Sequence, residues 1–154
     1  MSKTRINNGN DTLKQNASLL NKASEKYGVP SHLIVAFLGL ESNYGNYMGN
    51  ERLIQSLATL AYDPRRSKFF TRELIAALKL MDNKTIPIDA TGSWAGAMGA
   101  VQFMPTNVIA YGVDANKDGR VNLWNDKGDI YASAANFLSK LGWKKGEKWG
   151  REAL

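Results

Sequence analysis

The sequence predicts one mainly helical domain (mainly α, α+β) with at most a short β-ribbon. Three observations carry this. Apolar residues recur at helical spacing through most of the chain. Breakers such as Gly28, Pro30 and Pro64 fall between the periodic segments. The length of 154 residues, 44% hydrophobic and 22% charged, suits a single globular core.

Taken in order, residues 1–12 read as a polar, flexible lead-in to a domain over 13–154. Leu13, Ala17, Leu20, Ala23 and Tyr27 then predict a helix over about 11–27, stopped by Gly28 and Pro30. Ser31 is placed to cap the next helix, whose continuous apolar run Leu33 to Leu40 reads as buried. That run gives way to Glu41-Ser42-Asn43, a polar helix end suited to the edge of a cleft. A third helix is expected over 52–62, ending before Pro64. A fourth spans 67–82, with Phe70, Leu74, Ala77, Leu78 and Met81 as its apolar stripe. A Gly- and Ala-rich block around Trp94 follows, then a short helix over 105–111. An Asp/Asn/Gly loop over 114–125 holds the expected ribbon near Arg120-Val121-Asn122, and a last helix spans 129–141. Residues 143–154 read as a basic, glycine-punctuated tail.

Composition excludes whole classes of chemistry. With no cysteine there is no disulfide scaffold, no thiolate zinc site and no thiol nucleophile. The one histidine, His32, excludes multi-histidine metal sites and leaves a catalytic triad only if built around it. The formal charge of +6 fits an anionic partner, whether nucleic acid, lipid or polysaccharide. The densest basic pairs are only Arg65-Arg66 and Lys144-Lys145, so no nucleic-acid arm is expected. No apolar stretch is long enough to span a membrane, and Met1 to Asn16 lacks the apolar core of a signal peptide.

Glu41 stands out among the 14 acids. On a helix its same-face neighbours are Leu38, Phe37 and Ile34, so it continues an apolar stripe. Desolvation there would raise its pKa, as a general acid requires. An ion-paired acid at the end of a buried helix fits the pattern as well. Tyr44 and Tyr47 just downstream offer aromatic faces to a sugar, or simply pack in the core. Glycoside hydrolysis normally takes two carboxylates. The nearest second acid, Glu51, sits in a polar turn. A glycosidase with one carboxylate must take its nucleophile from the substrate, such as an N-acetyl group or a C6 hydroxyl.

A second motif is Asp114-Ala-Asn116-Lys-Asp118-Gly119-Arg120-Val-Asn122, which follows the EF-hand loop signature. Side chains of Asp114, Asn116 and Asp118 and the carbonyl of Arg120 would be ligands. Asn125 replaces the usual bidentate Glu, and Asp126 or Asp129 could supply the carboxylate from beyond. A weak, structural calcium site is expected, against the alternative of an Asn/Asp/Gly turn that needs no ion. No organic cofactor is expected.

Several segments then occur in a telling order: Tyr27-Gly-Val-Pro30, Glu41-Ser-Asn-Tyr-Gly45, Asp63-Pro-Arg-Arg66, Gly92-Ser-Trp-Ala-Gly-Ala-Met-Gly99 with Gln102-Phe103-Met-Pro105, and the Asp114 loop ending Asn122-Leu-Trp124. Together they resemble the lytic murein transglycosylase B family (glycoside hydrolase family 103) from about Asn16 onward. The resemblance implies a lysozyme-like fold and cleavage of the MurNAc–GlcNAc β-1,4 bond of peptidoglycan, leaving 1,6-anhydromuramoyl ends. It makes Glu41 the single acid/base and places Tyr44, Ser93, Gln102 and Phe103 among the substrate-binding residues. Arg65 and Arg66 would meet stem-peptide carboxylates, and Asp129 becomes the better-aligned distal calcium ligand. It also implies a monomer working in the periplasm or cell wall. Departures are a shortened N-terminal portion, Phe137 where a cleft tyrosine is common, and absence of the segment that follows the Gly142–Gly146 stretch in the family. Hydrolysis of the goose-type lysozyme kind, or an inactive wall-binding fragment, are the alternatives.

Overall fold

The computed structural model describes residues 2–146. Seven helices carry the fold among these: α1 (Lys3–Gln15), α2 (Ala17–Tyr27), α3 (Ser31–Ser42), α4 (Leu53–Tyr62), α5 (Ser67–Asp82), α6 (Pro105–Tyr111) and α7 (Lys127–Lys140). Two-residue strands β1 (Glu51–Arg52) and β2 (Thr91–Gly92) pair antiparallel, Glu51 opposite Gly92 and Arg52 opposite Thr91. The mainly helical reading holds.

The core explains the packing. Ile34, Val35 and Leu38 turn the apolar run of α3 inward, against Leu20 of α2 and Ala134 and Ala135 of α7. Leu53 and Leu57 of α4 meet Phe70, Ala77 and Leu80 of α5 in the same core. Met98, Phe103 and Leu123, each no more than 1% exposed, fill the space between. Gly28 ends α2 in the left-handed conformation (φ 73°), its N–H donating to Ser24 O at 2.8 Å, as a C-terminal glycine cap should.

Four expectations are corrected. Residues 3–15 form α1, where a flexible lead-in was expected. The Asn7-Asn8-Gly9-Asn10 stretch has poor helix propensity, and α1 buries none of its residues. Tertiary bonds hold it instead: the Arg5 guanidinium donates to Gly39 O, and the Tyr44 hydroxyl donates to Arg5 O at 2.8 Å. The Tyr44 ring occupies the space that a Cβ would need at both Gly9 and Gly39. Helix α1 also stops at Asn16, so the expected 11–27 helix is split in two. The ribbon lies at 51–52 and 91–92 rather than near Arg120–Asn122. There the Val121 N–H donates to Thr85 O and the Asn122 N–H to the Asp129 carboxylate, so neither is free for a ladder. Finally Pro30, not Ser31, occupies the N-cap of α3. Of the tail, Trp143 docks by donating from Nε1 to Gly28 O at 3.1 Å; residues 147–154 lie outside the described part.

Candidate active site

Glu41 sits in the last turn of α3, one residue before the buried Ser42. Its side chain reaches solvent, yet partial burial pushes its pKa above the ordinary carboxylate value. Among the described residues, no donor or cation is bonded to it. It is an unpaired carboxyl whose proton is held by desolvation.

The chain leaves α3 through a strained turn. Asn43 (φ 50°), Tyr44 (φ 63°) and Gly45 (φ 88°) are all left-handed. Non-glycine residues in that region cost about 1 kcal/mol each. Ser42 fixes the turn: its Oγ donates to Ala100 O at 2.6 Å and accepts from the Gly45 N–H at 2.9 Å. The Tyr47 N–H closes back on Ser42 O at 2.9 Å. Tyr44 itself turns away toward α1, as its bond to Arg5 shows.

The Ala100 carbonyl belongs to the Gly92–Pro105 block, so Ser42 ties the Glu41 segment directly to it. Glycines make that block compact. A Cβ at Gly49 would lie 2.2 Å from Gly92 O, and one at Gly99 (φ 64°) 2.4 Å from Leu123 O. Ser93 opens a tight turn, its Oγ accepting from the Ala97 N–H at 3.0 Å, which leaves the hydroxyl proton available. Gln102 is also left-handed (φ 49°). Its Nε2 donates to Met48 O (3.1 Å) and Gly99 O (2.9 Å), while Oε1 accepts nothing from the described residues. Ser93 and Gln102 thus keep one spare donor and one spare acceptor, on a block that meets the chain beyond Glu41 at Met48 and Gly49.

Phe103 is different. It is 1% exposed and its ring packs 5.1 Å from that of Phe137, which also meets Phe37 (5.8 Å) and Tyr111 (5.2 Å). The expectation that Phe103 faces a sugar is corrected: it supports the block from beneath. Phe137 belongs to the same aromatic cluster.

Arg65 and Arg66 stand at the corner between α4 and α5. Arg65 forks onto Asp63 (2.5 Å at the shortest), and that pairing holds the Asp63 pKa at about 2. The Arg66 guanidinium lies 4.5 Å from the Phe69 ring centre. Both line a groove of about 830 Å³ along α5 and α6, together with Lys68, Arg72 and Lys79. No bond among the described residues joins this corner to Glu41.

In the 114–129 segment, Asp114 accepts from the N–H groups of Asp118 (3.1 Å) and Gly119 (2.8 Å). Asn116 Nδ2 donates to Asp118 (3.2 Å) and to Asp126 (2.9 Å). Asp118 accepts from the Arg120 N–H at 2.9 Å. Asp129 is fully buried and accepts from Ala115 and Asn122, both at 2.8 Å. Burial raises its pKa, and the neighbouring Asp126 and Asp114 charges add to the rise.

One residue escaped the sequence reading. Glu73, on α5, is fully buried; its carboxylate accepts from the N–H and Oγ1 of Thr106, both at 3.0 Å, and pairs with Arg72 at 3.3 Å. It thereby caps α6 from outside and fixes the end of the Gly92–Pro105 block. The signal was present: Phe70, Ala76, Ala77 and Leu80 at i−3, i+3, i+4 and i+7 are the same apolar surroundings that singled out Glu41.

Comparison with known proteins fits this architecture. A family model described as "Transglycosylase SLT domain" matches residues 1–154. Membrane-bound lytic murein transglycosylase B of Escherichia coli (strain K12) is 41% identical over 145 residues, covering 93% of this chain and 40% of that protein. The crystal structure of SltB3 from Pseudomonas aeruginosa in complex with NAG-anhNAM-pentapeptide superposes with TM-score 0.93 at 44% identity, covering 96% of this chain and 40% of the other. The Escherichia coli lytic transglycosylase Slt35 in complex with calcium gives TM-score 0.88 at 39% identity, with 96% and 48% covered. The chain therefore spans less than half the length of these relatives. Across its own length, the fold and the sequence make this chain a member of the transglycosylase SLT domain family, with the lytic murein transglycosylases B among its relatives.

Proposed function

We propose that the chain is a lytic transglycosylase that cleaves the MurNAc–GlcNAc β-1,4 bond of peptidoglycan and leaves 1,6-anhydromuramoyl ends. The observation that carries the reading is Glu41: an unpaired carboxyl, protonated to higher pH than usual, tied through Ser42 to the Gly92–Pro105 block. Of the other glutamates, Glu51 lies on the exposed ribbon and Glu73 is committed to Thr106. One carboxyl then serves twice. It gives its proton to the leaving GlcNAc oxygen as the glycosidic bond breaks. As carboxylate it takes the proton of the muramoyl C6 hydroxyl, whose oxygen closes on C1. The acid is regenerated and no water is consumed. The SltB3 relative was solved with NAG-anhNAM-pentapeptide, and also with NAG-NAM-pentapeptide, which supports this substrate class. In this reading Ser93 and Gln102 hold the sugar, and Arg65 and Arg66 meet stem-peptide carboxylates. Action at the bacterial wall follows from the substrate; no helix among the described residues is long and apolar enough to cross a membrane.

The 114–129 segment is read as a calcium loop, as the calcium complex of Slt35 supports. Its donor chemistry fits a hard cation: Asp114, Asn116 and Asp118 offer oxygens, and no Lys or Arg pairs with these acids among the described residues. The Asp114 and Asp126 charges bearing on buried Asp129 are a repulsion that a cation would relieve. No three His, Cys, Asp or Glu side chains form a ready metal cluster among the described residues, so the Asn116 amide and the Arg120 carbonyl would have to complete the shell. Calcium there would supply structural charge balance only.

Mass spectrometry of a sacculus digest tests the main reading. Wild-type protein should release anhydromuramoyl fragments, and Glu41→Gln should release none while keeping its fold. Reducing muramic acid ends would instead establish hydrolysis, and binding without release would establish a wall-binding module.

A further inference from the structure

From Thr91 to Val108 every residue is buried or half-buried except one, Trp94, which is 71% exposed. The largest apolar side chain of the most tightly built segment is thus the one turned to solvent. The turn fixes its backbone. The Ser93 N–H donates to Ala97 O at 2.8 Å, the Gly96 N–H returns to Ser93 O at 2.9 Å, and a Cβ on Gly96 would strike Leu57 of α4. On the segment that follows Glu41, Tyr47 is 74% exposed. The two segments touch: Gly49 abuts the backbone of Gly92 and Ser93, and Gln102 bonds Met48 O. Neither ring has a hydrogen bond or ring contact among the described residues.

We propose that Trp94 and Tyr47 form an aromatic shelf that stacks pyranose rings of the glycan strand beside the bond Glu41 cleaves. The proposal rests on the transglycosylase reading above. A pyranose has an apolar C–H face and a hydroxyl rim, and a rigid, solvent-facing indole or phenol matches that face at little entropic cost. The shelf is continuous with Ser93, whose free hydroxyl proton lies one residue from Trp94. Sugar rather than peptide is favoured because the cations that would meet stem carboxylates, Arg65 and Arg66, line a different groove along α5. The shelf would therefore read the strand, not its cross-links.

The test uses the full chain carrying Glu41→Gln, so that binding is read without cleavage, and glycan strands stripped of peptide. Co-sedimentation of Glu41→Gln with the strands is compared with the same protein carrying Trp94→Ala, Trp94→Phe or Tyr47→Ala. The shelf predicts about tenfold weaker binding for Trp94→Ala, the value of one aromatic stacking contact. It predicts a smaller loss for Tyr47→Ala and most of the binding retained for Trp94→Phe. In protein with Glu41 intact, Trp94→Ala should raise KM for long strands more than it lowers kcat. Strand binding within twofold of the parent overturns the shelf alone, leaving the transglycosylase reading intact. So does a Trp94-dependent dimer in sedimentation velocity with strand binding unchanged, which would make the ring a self-association contact. Wild-type protein that neither binds nor cleaves strands overturns both.

Discussion

Two glutamates show how far environment separates identical side chains. Glu41 is solvent-facing, unpaired and partly desolvated; Glu73 is fully buried and saturated by Thr106 and Arg72. Their substitutions should fail differently. Because burial raises the Glu41 pKa, its protonated form persists to higher pH than for a free glutamate. The pH profile of kcat/KM should therefore fall as pH rises through that elevated value, and a flat profile there would contradict the acid role. Stability carries the same sign. Folded Glu41 holds its proton more tightly than the unfolded chain does, so its contribution is full below the unfolded pKa and is lost as pH rises through the folded one. Glu73→Ala should leave the half-buried Thr106 donors without their partner and a void beside α6, costing about 2–4 kcal/mol and a visibly lower Tm. Glu41→Gln should leave Tm nearly unchanged.

At the scale of elements, α3 was legible from its continuous apolar run, α5 from its apolar periodicity, and the ends of α2 and α4 from the breakers Gly28, Pro30 and Pro64. Helix α1 was not, since none of its residues is fully buried and much of its anchoring comes from Arg5 and Tyr44 contacts remote in sequence. Strands of two residues are too short to leave a pattern, so the ribbon could only be found in three dimensions. Much the same holds for the site. Glu41 was readable from its helical neighbours, and Glu73 would have been by the same criterion. Phe103 was misassigned because a Gly-rich block has no period from which to tell an inward ring from an outward one. The 114–129 segment carries a prediction at this scale. If it holds calcium, the ion should raise Tm by binding only the folded state, as seen by calorimetry with and without a chelator. Asp114→Ala should abolish the increment without removing glycan cleavage.

The whole molecule carries a net charge of +6, and five of its cations line one groove along α5 and α6. Any attraction of theirs to an anionic polymer would be long-ranged and screened beyond about 10 Å at 0.1 M salt. Binding to intact sacculi should fall several-fold between about 50 and 300 mM NaCl. Replacing Arg66 and Lys68 together by Ala should flatten that dependence. Salt-independent binding would show that the groove takes no part.

Tyr44 links these scales in one further respect. Its hydroxyl tethers Arg5, its ring fills the gap between Gly9 and Gly39, and its backbone belongs to the turn that follows Glu41. Helix α1 therefore works as a latch, with two of its bolts, at Gly39 and Tyr44, fastened to the C-terminal half of α3 and the turn beyond it. Amide exchange along α1 would register any disturbance of that turn, giving the molecule a built-in reporter at a place where no chemistry occurs.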